Sequence, residues 1–162
     1  MTSWRGGERR RPKDLGQHRR SGQVRRLRPT IDGVTKYAPL TVTQVVSHMR
    51  SAPDEDTKLR WCLQFLDDFS AAENEVRATL VADDPGYCGD RRWDAYVAAL
   101  TEHLVASYDL AAPSWLFTAG RFLERWWFPV DLPSVRVTAL IQSPASFRRR
   151  GIFITEADLS RC

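Results

Sequence analysis

Histidine and cysteine side chains, the usual ligands of a protein-bound metal, are dispersed along this sequence. No two of them stand in a CxxC or HExxH spacing, which would bring two ligands to one metal ion. Neither a GxxxxGK nor a GxGxxG loop occurs, so no glycine-rich phosphate cradle is predicted. We therefore expect no metal and no cofactor. The residues concerned are His18, His48, His103, Cys62, Cys88 and Cys162.

Two adjacent carboxylate pairs, Asp67-Asp68 and Asp83-Asp84, are candidates for acid–base chemistry. Such catalysis needs a carboxylate in a pocket that shifts its pKa, and neighbouring residues on a helix point in different directions. We expect the first pair to be solvated on a helix surface and the second to mark a helix end. Cys62 with His103 is a candidate nucleophile and base, but Cys62 falls on an apolar stripe that disfavours a thiolate. The sequence thus predicts no catalytic residue, and we expect a protein that is not an enzyme.

Arginine and tryptophan residues in the C-terminal half are the candidates for recognition of a partner. A guanidinium group forms bidentate pairs with carboxylate or phosphate, and both residue types are enriched at binding hot spots. Two plainer interpretations stay open: the arginines form a solvated turn, and the aromatic segment from Trp115 to Phe128 packs in the core. The candidate partner-binding residues are Arg148, Arg149, Arg150, Trp126 and Trp127.

The first 36 residues are strongly basic. They contain eleven Lys or Arg against Glu8, Asp14 and Asp32, a net charge of +8, whereas the remaining 126 residues carry −4. Their apolar residues are scattered, so we predict a flexible tail at 1–36 that binds nucleic acid weakly and without sequence preference. A solvated tail without a ligand, or a start codon placed too far upstream, stays an alternative. The candidate nucleic-acid contacts are Arg9, Arg10, Arg11, Arg19, Arg20, Arg25 and Arg26.

Capping residues and helical periodicity place the first two helices. Thr41 and Gln44 have the spacing of a capping box, and the apolar face of a helix follows them. A second helix is predicted from Ser51 as its cap to about Phe69. The first face consists of Val42, Val45, Val46 and Met49, and the expected water-facing residues of the second helix are Arg60, Gln64, Asp67 and Asp68.

Two further helices are predicted before the aromatic segment. Ser70 and Glu73 have the spacing of another capping box, which would begin a short helix that ends before Asp83. That helix offers only Arg77 beside its acidic residues, so we do not expect it to read bases in a DNA groove. Asp90 begins the clearest amphipathic stretch, which runs to about Tyr108.

The C-terminal part contains a short ambiguous segment followed by clear turn residues. Residues 134–142 fit either a helix or a strand, because their apolar residues follow neither period cleanly. Ser143-Pro144 predicts a cap followed by proline at the first helical position, and Gly151 predicts a left-handed stop. Residues 152–154 are expected to pack back onto the body before a last short helix that begins at Thr155.

These elements predict an all-α fold, a compact bundle of about five to seven short helices. We expect a basic tail at 1–36 and a single helical domain at 37–162. Hydrophobic residues make up 43% of the chain and include six Trp, which is enough for a core. The sequence lacks the apolar run of a signal peptide or a bilayer span, and its three cysteines form no disulfide framework. We therefore expect a cytoplasmic protein with no membrane partner.

The C-terminal half also resembles a set of actinobacterial proteins. The resemblance is carried by WWFP at 126–129, PSVRVTAL at 133–140 and SPASFRRRGIFI at 143–154, and upstream by LQFL at 63–66, EVR at 75–77 and GDRRWD at 89–94. Members of this set are commonly described as helix-turn-helix regulators or hypothetical proteins, often encoded beside nucleotidyltransferase toxins of the AbiEii type. They often begin with a DNA-binding helix-turn-helix, whereas residues 1–40 here hold a basic tail without one.

The resemblance implies an antitoxin-like role, in which the protein binds and neutralises a toxin that modifies RNA. We hypothesise that Arg148, Arg149 and Arg150 meet acidic groups on that partner from a solvated turn. In this hypothesis Trp126, Trp127, Phe147 and Phe153 hold the turn in place. The alternative is a nucleic-acid-binding transcriptional regulator that uses the basic N-terminal tail.

Overall fold

Most of the described backbone is helical, and several of the helices begin at a residue whose side chain caps the first turn. A computed structural model describes residues 38–130 and 132–159, and within these ranges it contains six α-helices and no strand. The predicted all-α class is therefore confirmed, whereas the predictions for residues 1–36 lie outside the described residues. The helices are α1 (Val42–Arg50), α2 (Glu55–Ala71), α3 (Asn74–Val81), α4 (Arg91–Ser107), α5 (Pro133–Gln142) and α6 (Ala145–Arg148), with 3-10 turns at Ser114–Phe117, Ala119–Arg121 and Glu156–Leu159.

Side-chain caps begin the first two helices, one as predicted and one three residues later. Thr41 Oγ1 accepts a hydrogen bond from Gln44 N–H at 3.2 Å, and Gln44 Oε1 accepts one from Thr41 N–H at 2.9 Å, which confirms the capping box. The predicted cap of α2 is wrong. Asp54 caps it by accepting from Thr57 N–H at 2.7 Å, while Ser51 ends α1 and donates its hydroxyl to His48 O. A carboxylate is favoured at this position because it also meets the positive end of the helix dipole.

The junction between α2 and α3 departs from the prediction. Ser70 lies inside α2, and Glu73 precedes α3 without a side-chain cap, so the predicted second capping box does not form. Asp68, expected to face water, is buried because its carboxylate accepts from Leu40 N–H and from Gln64 Nε2, each at 2.8 Å. Asp68 thus ties the residues before α1 to the end of α2.

Helix α4 is the centre of the body. It begins at the predicted cap, where Asp90 accepts from Arg92 N–H at 3.0 Å, and eleven of its residues are buried. It packs against α1, α2, α6 and the two 3-10 turns that follow it in the chain. Since burial of a large apolar side chain contributes about 1.5–3 kcal/mol, this helix holds much of the stabilising core.

Two segments on either side of α5 lie next to each other. Leu123 N–H donates to Arg150 O, Trp127 N–H to Gly151 O and Phe153 N–H to Trp127 O, at 2.8 to 3.1 Å, with a parallel bridge between Trp127 and Ile152. Gly151 has the predicted left-handed conformation, with φ of 77°. The chain therefore leaves this pair of segments, forms α5 and returns to it.

Residues 134–142, which fit either a helix or a strand by pattern, lie in helix α5, which begins at Pro133. The predicted cap of α6 is wrong, because the residue before α6 is Pro144 and makes no side-chain cap. The Ser143 hydroxyl instead donates to Ile152 O and accepts from Ile154 N–H, so it joins the end of α5 to the C-terminal segment. None of the helices in the described ranges has the length and apolar content that a bilayer span requires.

Candidate functional site

The three consecutive arginines have three different surroundings. Arg148 is exposed, Arg149 is half-exposed, and Arg150 is fully buried. The expectation that all three guanidinium groups are solvated is therefore wrong for Arg150. Successive residues of a helical turn point about 100° apart, so one of three neighbours faces the body here.

Arg150 is a structural residue inside the body. Its Nη1 donates to the carboxylate of Glu102 and to Ser146 O, and its Nη2 donates to Leu116 O at 2.8 Å. Burial lowers the pKa of Arg150, while the hydrogen bond and charge of Glu102 act in the opposite direction. Arg149 Nη2 reaches the other oxygen of Glu102 at 2.5 Å. Arg150 thus joins α4, α6 and the first 3-10 turn, and it is not available to a partner.

A second buried arginine, Arg121, was not singled out from the sequence. Its Nη2 donates to Gly86 O at 2.6 Å and pairs with Asp84 Oδ1 at 3.2 Å, and its guanidinium carbon lies 4.5 Å from the centre of the Tyr87 ring. Asp84, expected to mark a helix end, also anchors this arginine. No periodic pattern could identify Arg121, because it lies in a short 3-10 turn.

Trp126 and Trp127 are neighbours with different exposure. Trp127 is half-buried and its ring meets Trp93 edge-on, with centroids 5.4 Å apart, whereas the side chain of Trp126 is 69% exposed. One contact holds the Trp126 ring against Phe153, with centroids 5.0 Å apart. In the aromatic segment, Trp127 therefore packs against the core, whereas Trp126 lies on the surface.

An open cleft lies beside Trp126. Its volume is about 310 Å³, and two of its lining arginines lie over aromatic rings. The guanidinium carbon of Arg92 lies 5.4 Å from the centre of the Trp127 ring, and that of Arg136 lies 5.3 Å from the centre of the Phe128 ring. Arg92 Nη2 also pairs with Glu55 at 2.6 Å. The cleft is lined by Glu55, Arg92, Trp126, Trp127, Phe128, Pro129 and Arg136.

Helix α5 turns its apolar side chains away from the body. Its single buried residue is Ala139, whereas Val137 is 63% and Ile141 is 73% exposed, and Leu140 is exposed as well. At 100° per residue, Val137 and Ile141 lie within about 20° of the direction opposite Ala139, and Leu140 lies between Val137 and Arg136 around the helix. We call Trp126, Arg136, Val137, Leu140 and Ile141 the α5 surface.

Charge is distributed unevenly around this surface. Residues 125–150 carry five Arg against Asp131, a net charge of +4. Residues 38–124 carry seven Lys or Arg against fourteen Asp or Glu, a net charge of −7. The exposed apolar residues of α5 therefore belong to a segment that is basic in sequence, although its Arg149 and Arg150 pair with Glu102 of the acidic segment.

The candidate nucleophile and base have surroundings that suit packing. Cys62 is fully buried, and burial raises the pKa of its thiol far above the usual range, which disfavours the reactive thiolate. His103 is half-buried near the Phe147 ring, and burial lowers its pKa. Within the described ranges, no group of three His, Cys, Asp or Glu side chains is placed to hold a metal ion.

No protein-family model, no curated protein and no solved structure matches the chain.

Proposed function

We propose that this chain is a non-catalytic, antitoxin-like protein that binds and neutralises a partner protein through the α5 surface. The observation that carries the proposal is the orientation of α5, whose apolar side chains point into solvent. Large exposed apolar patches on a folded body mark sites of interaction, because water contact with such a patch is unfavourable.

The composition of the α5 surface matches that of a protein-binding site. An exposed Trp and an Arg flank three aliphatic side chains, and these aromatic and guanidinium groups are the ones that dominate binding energy at interfaces. Trp126 is held by Phe153, so it loses little conformational freedom when a partner covers it.

The nature of the partner rests on the resemblance to proteins encoded beside nucleotidyltransferase toxins. The stretches that carry the resemblance, 126–129 and 133–140, supply Trp126 and most of the outward face of α5. We therefore propose that the partner is a toxin of this type, encoded by the adjacent gene.

Co-expression of the full chain with that gene product tests the proposal. The double variant Val137→Ser/Ile141→Ser removes exposed apolar groups only, so it should fold normally, lose copurification and no longer protect cells from the toxin. Val76→Ser is the matched control, because Val76 is also an exposed valine on a helix but lies on α3. The control should copurify like the parent. Undiminished copurification by the double variant would refute the α5 surface as the binding site.

The exposed arginine of the turn, Arg148, is tested separately. Arg148→Glu avoids Arg149 and the buried Arg150, because both pair with Glu102 and reversal of either would disturb the body and confuse the result. If Arg148 meets the partner, the variant should weaken binding, since charged interface pairs couple strongly. Binding equal to that of the parent would restrict the interface to the α5 surface.

A second candidate function is nucleic-acid binding by residues 1–36, favoured by their net charge of +8. The arginines proposed for it, Arg9 to Arg11, Arg19-Arg20 and Arg25-Arg26, lie outside the described residues. Retention of sequence-selective DNA binding after deletion of residues 1–36 would instead assign recognition to the body.

A further inference from the structure

We infer that the α5 surface receives an acidic amphipathic helix, which packs its apolar stripe along α5 and places a carboxylate beside Arg136 and Arg92. The inference rests on the proposed function and names the chemistry of the partner segment. It is argued from the spacing of α5, from the cleft at its edge and from the charges around both.

The outward face of α5 has the spacing of a helix-packing surface. Val137, Leu140 and Ile141 stand at i, i+3 and i+4, which forms a ridge that fits the groove of another helix. The ten residues of α5 extend about 15 Å, the length of about three turns of a partner helix. An extended strand would find no backbone partner there, because the hydrogen-bonding groups of α5 are used within the helix.

Arg136 borders this apolar ridge. It stands four residues before Leu140, so the two side chains are neighbours on one side of α5. Arg136 also lines the cleft that contains Arg92 and Trp126. The apolar ridge and the cleft therefore form one continuous surface, with the cations along one edge.

The cleft has donors for a carboxylate. Among the described residues, Arg92 uses only Nη2 for its pairs with Glu55 at 2.6 Å and Asp90 at 3.4 Å. Its Nη1 and Nε groups can therefore donate to an incoming oxygen, and guanidinium groups bind carboxylates in a bidentate way. An Asp or Glu at the edge of the partner's apolar stripe would meet this group, with Trp126 covering the contact.

Charge argues against the chain's own segments as occupants. Residues 1–36 carry +8, the same sign as Arg92 and Arg136 in the cleft, so the N-terminal segment is a poor match for this surface. A second copy of α5 offers no carboxylate, because residues 132–142 contain Arg136 as their single charged residue. The acidic helix α2 has its most apolar residues, such as Phe65 and Phe69, buried in the core, so it presents no apolar stripe to another copy.

Two synthetic peptides of about three to four turns provide the probe. Both carry the same Leu stripe at i, i+3, i+4 and i+7; one is flanked by Glu and the other by Lys. Binding to the full chain is measured by calorimetry at low and at physiological salt. The Glu peptide should bind at least tenfold tighter than the Lys peptide, and added salt should reduce this difference.

Variants of the full chain then assign the preference. Arg136→Glu should abolish or reverse the preference for the Glu peptide, whereas Val137→Ser/Ile141→Ser should weaken both peptides at least tenfold. Val76→Ser should leave both affinities unchanged. Equal affinity for the two peptides, or a preference that survives Arg136→Glu, would overturn the inference.

The peptides and the toxin test different statements. If the toxin copurifies through α5 but the Glu peptide shows no preference, the inference fails while the proposed function stands. If the Glu peptide binds as expected but no toxin copurifies, the proposed function fails and the surface keeps its specificity. A dimer in sedimentation that Val137→Ser/Ile141→Ser dissociates would identify a second copy as the occupant and would overturn the inference.

Discussion

Glu102 connects the interior of the molecule with its arginine turn. One carboxylate oxygen pairs with the buried Arg150 and the other with the half-exposed Arg149, while backbone carbonyls of Ser146 and Leu116 take further donors of Arg150. A buried guanidinium group is tolerated only when such acceptors replace water. Arg150 therefore contributes to the relative placement of α4 and α6.

Arg150→Met tests this structural role. Removal of one partner from a buried ion pair costs about 3–5 kcal/mol, because the remaining polar groups are left without their counterpart. The free energy of unfolding, measured by urea denaturation, should fall by about that amount. Arg148→Met is the matched control, since Arg148 is exposed on the same turn. The urea midpoint of this variant should stay close to that of the parent. Equal midpoints for the two variants would contradict the assignment.

His103 should make the stability depend on pH. Burial lowers its pKa below the usual 6.5, so the unfolded chain binds a proton at a higher pH than the folded chain does. The free energy of unfolding should therefore decrease as the pH falls from about 7 through the unfolded-state value of about 6.5. His103→Gln should reduce this slope in urea titrations at several pH values. A slope that is unchanged in the variant would assign the pH dependence to other groups.

At the scale of the elements, local chemistry predicted the helices better than their ends. The Thr41–Gln44 box and the Asp90 cap form because each side chain bonds to a backbone group within three residues. The start of α2 was misplaced because Ser51 and Asp54 are both good caps, and the sequence does not rank them. Asp68 was misplaced because its partner, Leu40 N–H, lies 28 residues away.

The candidate site was predicted only in part. The sequence pointed to residues 126–127 and to the arginine turn, and the structure places these two segments side by side. The sequence could not show that Trp126 is exposed and Trp127 half-buried, or that Arg150 is buried while its neighbours are not. Burial depends on tertiary contacts such as those with Trp93 and Glu102. Apart from Trp126, the α5 surface was missed, since an amphipathic pattern predicts that the apolar side of a helix meets the body, whereas α5 exposes Val137 and Ile141.

Helix α5 should respond to substitution according to the side that is changed. Val137→Ser/Ile141→Ser alters exposed residues and should change the free energy of unfolding by less than about 1 kcal/mol. Ala139→Leu adds bulk at the buried side of the helix and should lower the free energy of unfolding by about 1–3 kcal/mol. Chemical denaturation of both variants gives the comparison. A large loss in the first variant would mean that the outward face is packed in the free protein.

At the scale of the whole molecule, charge alternates along the chain. Residues 1–36 carry +8, residues 38–124 carry −7 and residues 125–150 carry +4. Phosphate groups are attracted to the first of these segments and repelled by the second, and the third attracts them less than its net charge indicates, because Arg149 and Arg150 pair with Glu102. Any attraction to nucleic acid should therefore depend strongly on residues 1–36.

The full chain should bind nucleic acid weakly and with little sequence preference. Affinity for duplex DNA, measured by fluorescence anisotropy, should fall steeply as salt is raised, because bound Arg groups release counterions. Deletion of residues 1–36 should remove this binding and leave the melting temperature unchanged. Tight, sequence-selective binding by the shortened chain at physiological salt would contradict the prediction and favour a regulator.

The paired segments on either side of α5 have a consequence for how this protein can diverge. The chain departs near Trp127 and returns near Ile152, and hydrogen bonds already close that gap without help from α5. Of the α5 residues, Ala139 is the buried one, so a different helix with a small residue there can take its place. The body can thus stay the same while the outward face of these ten residues changes.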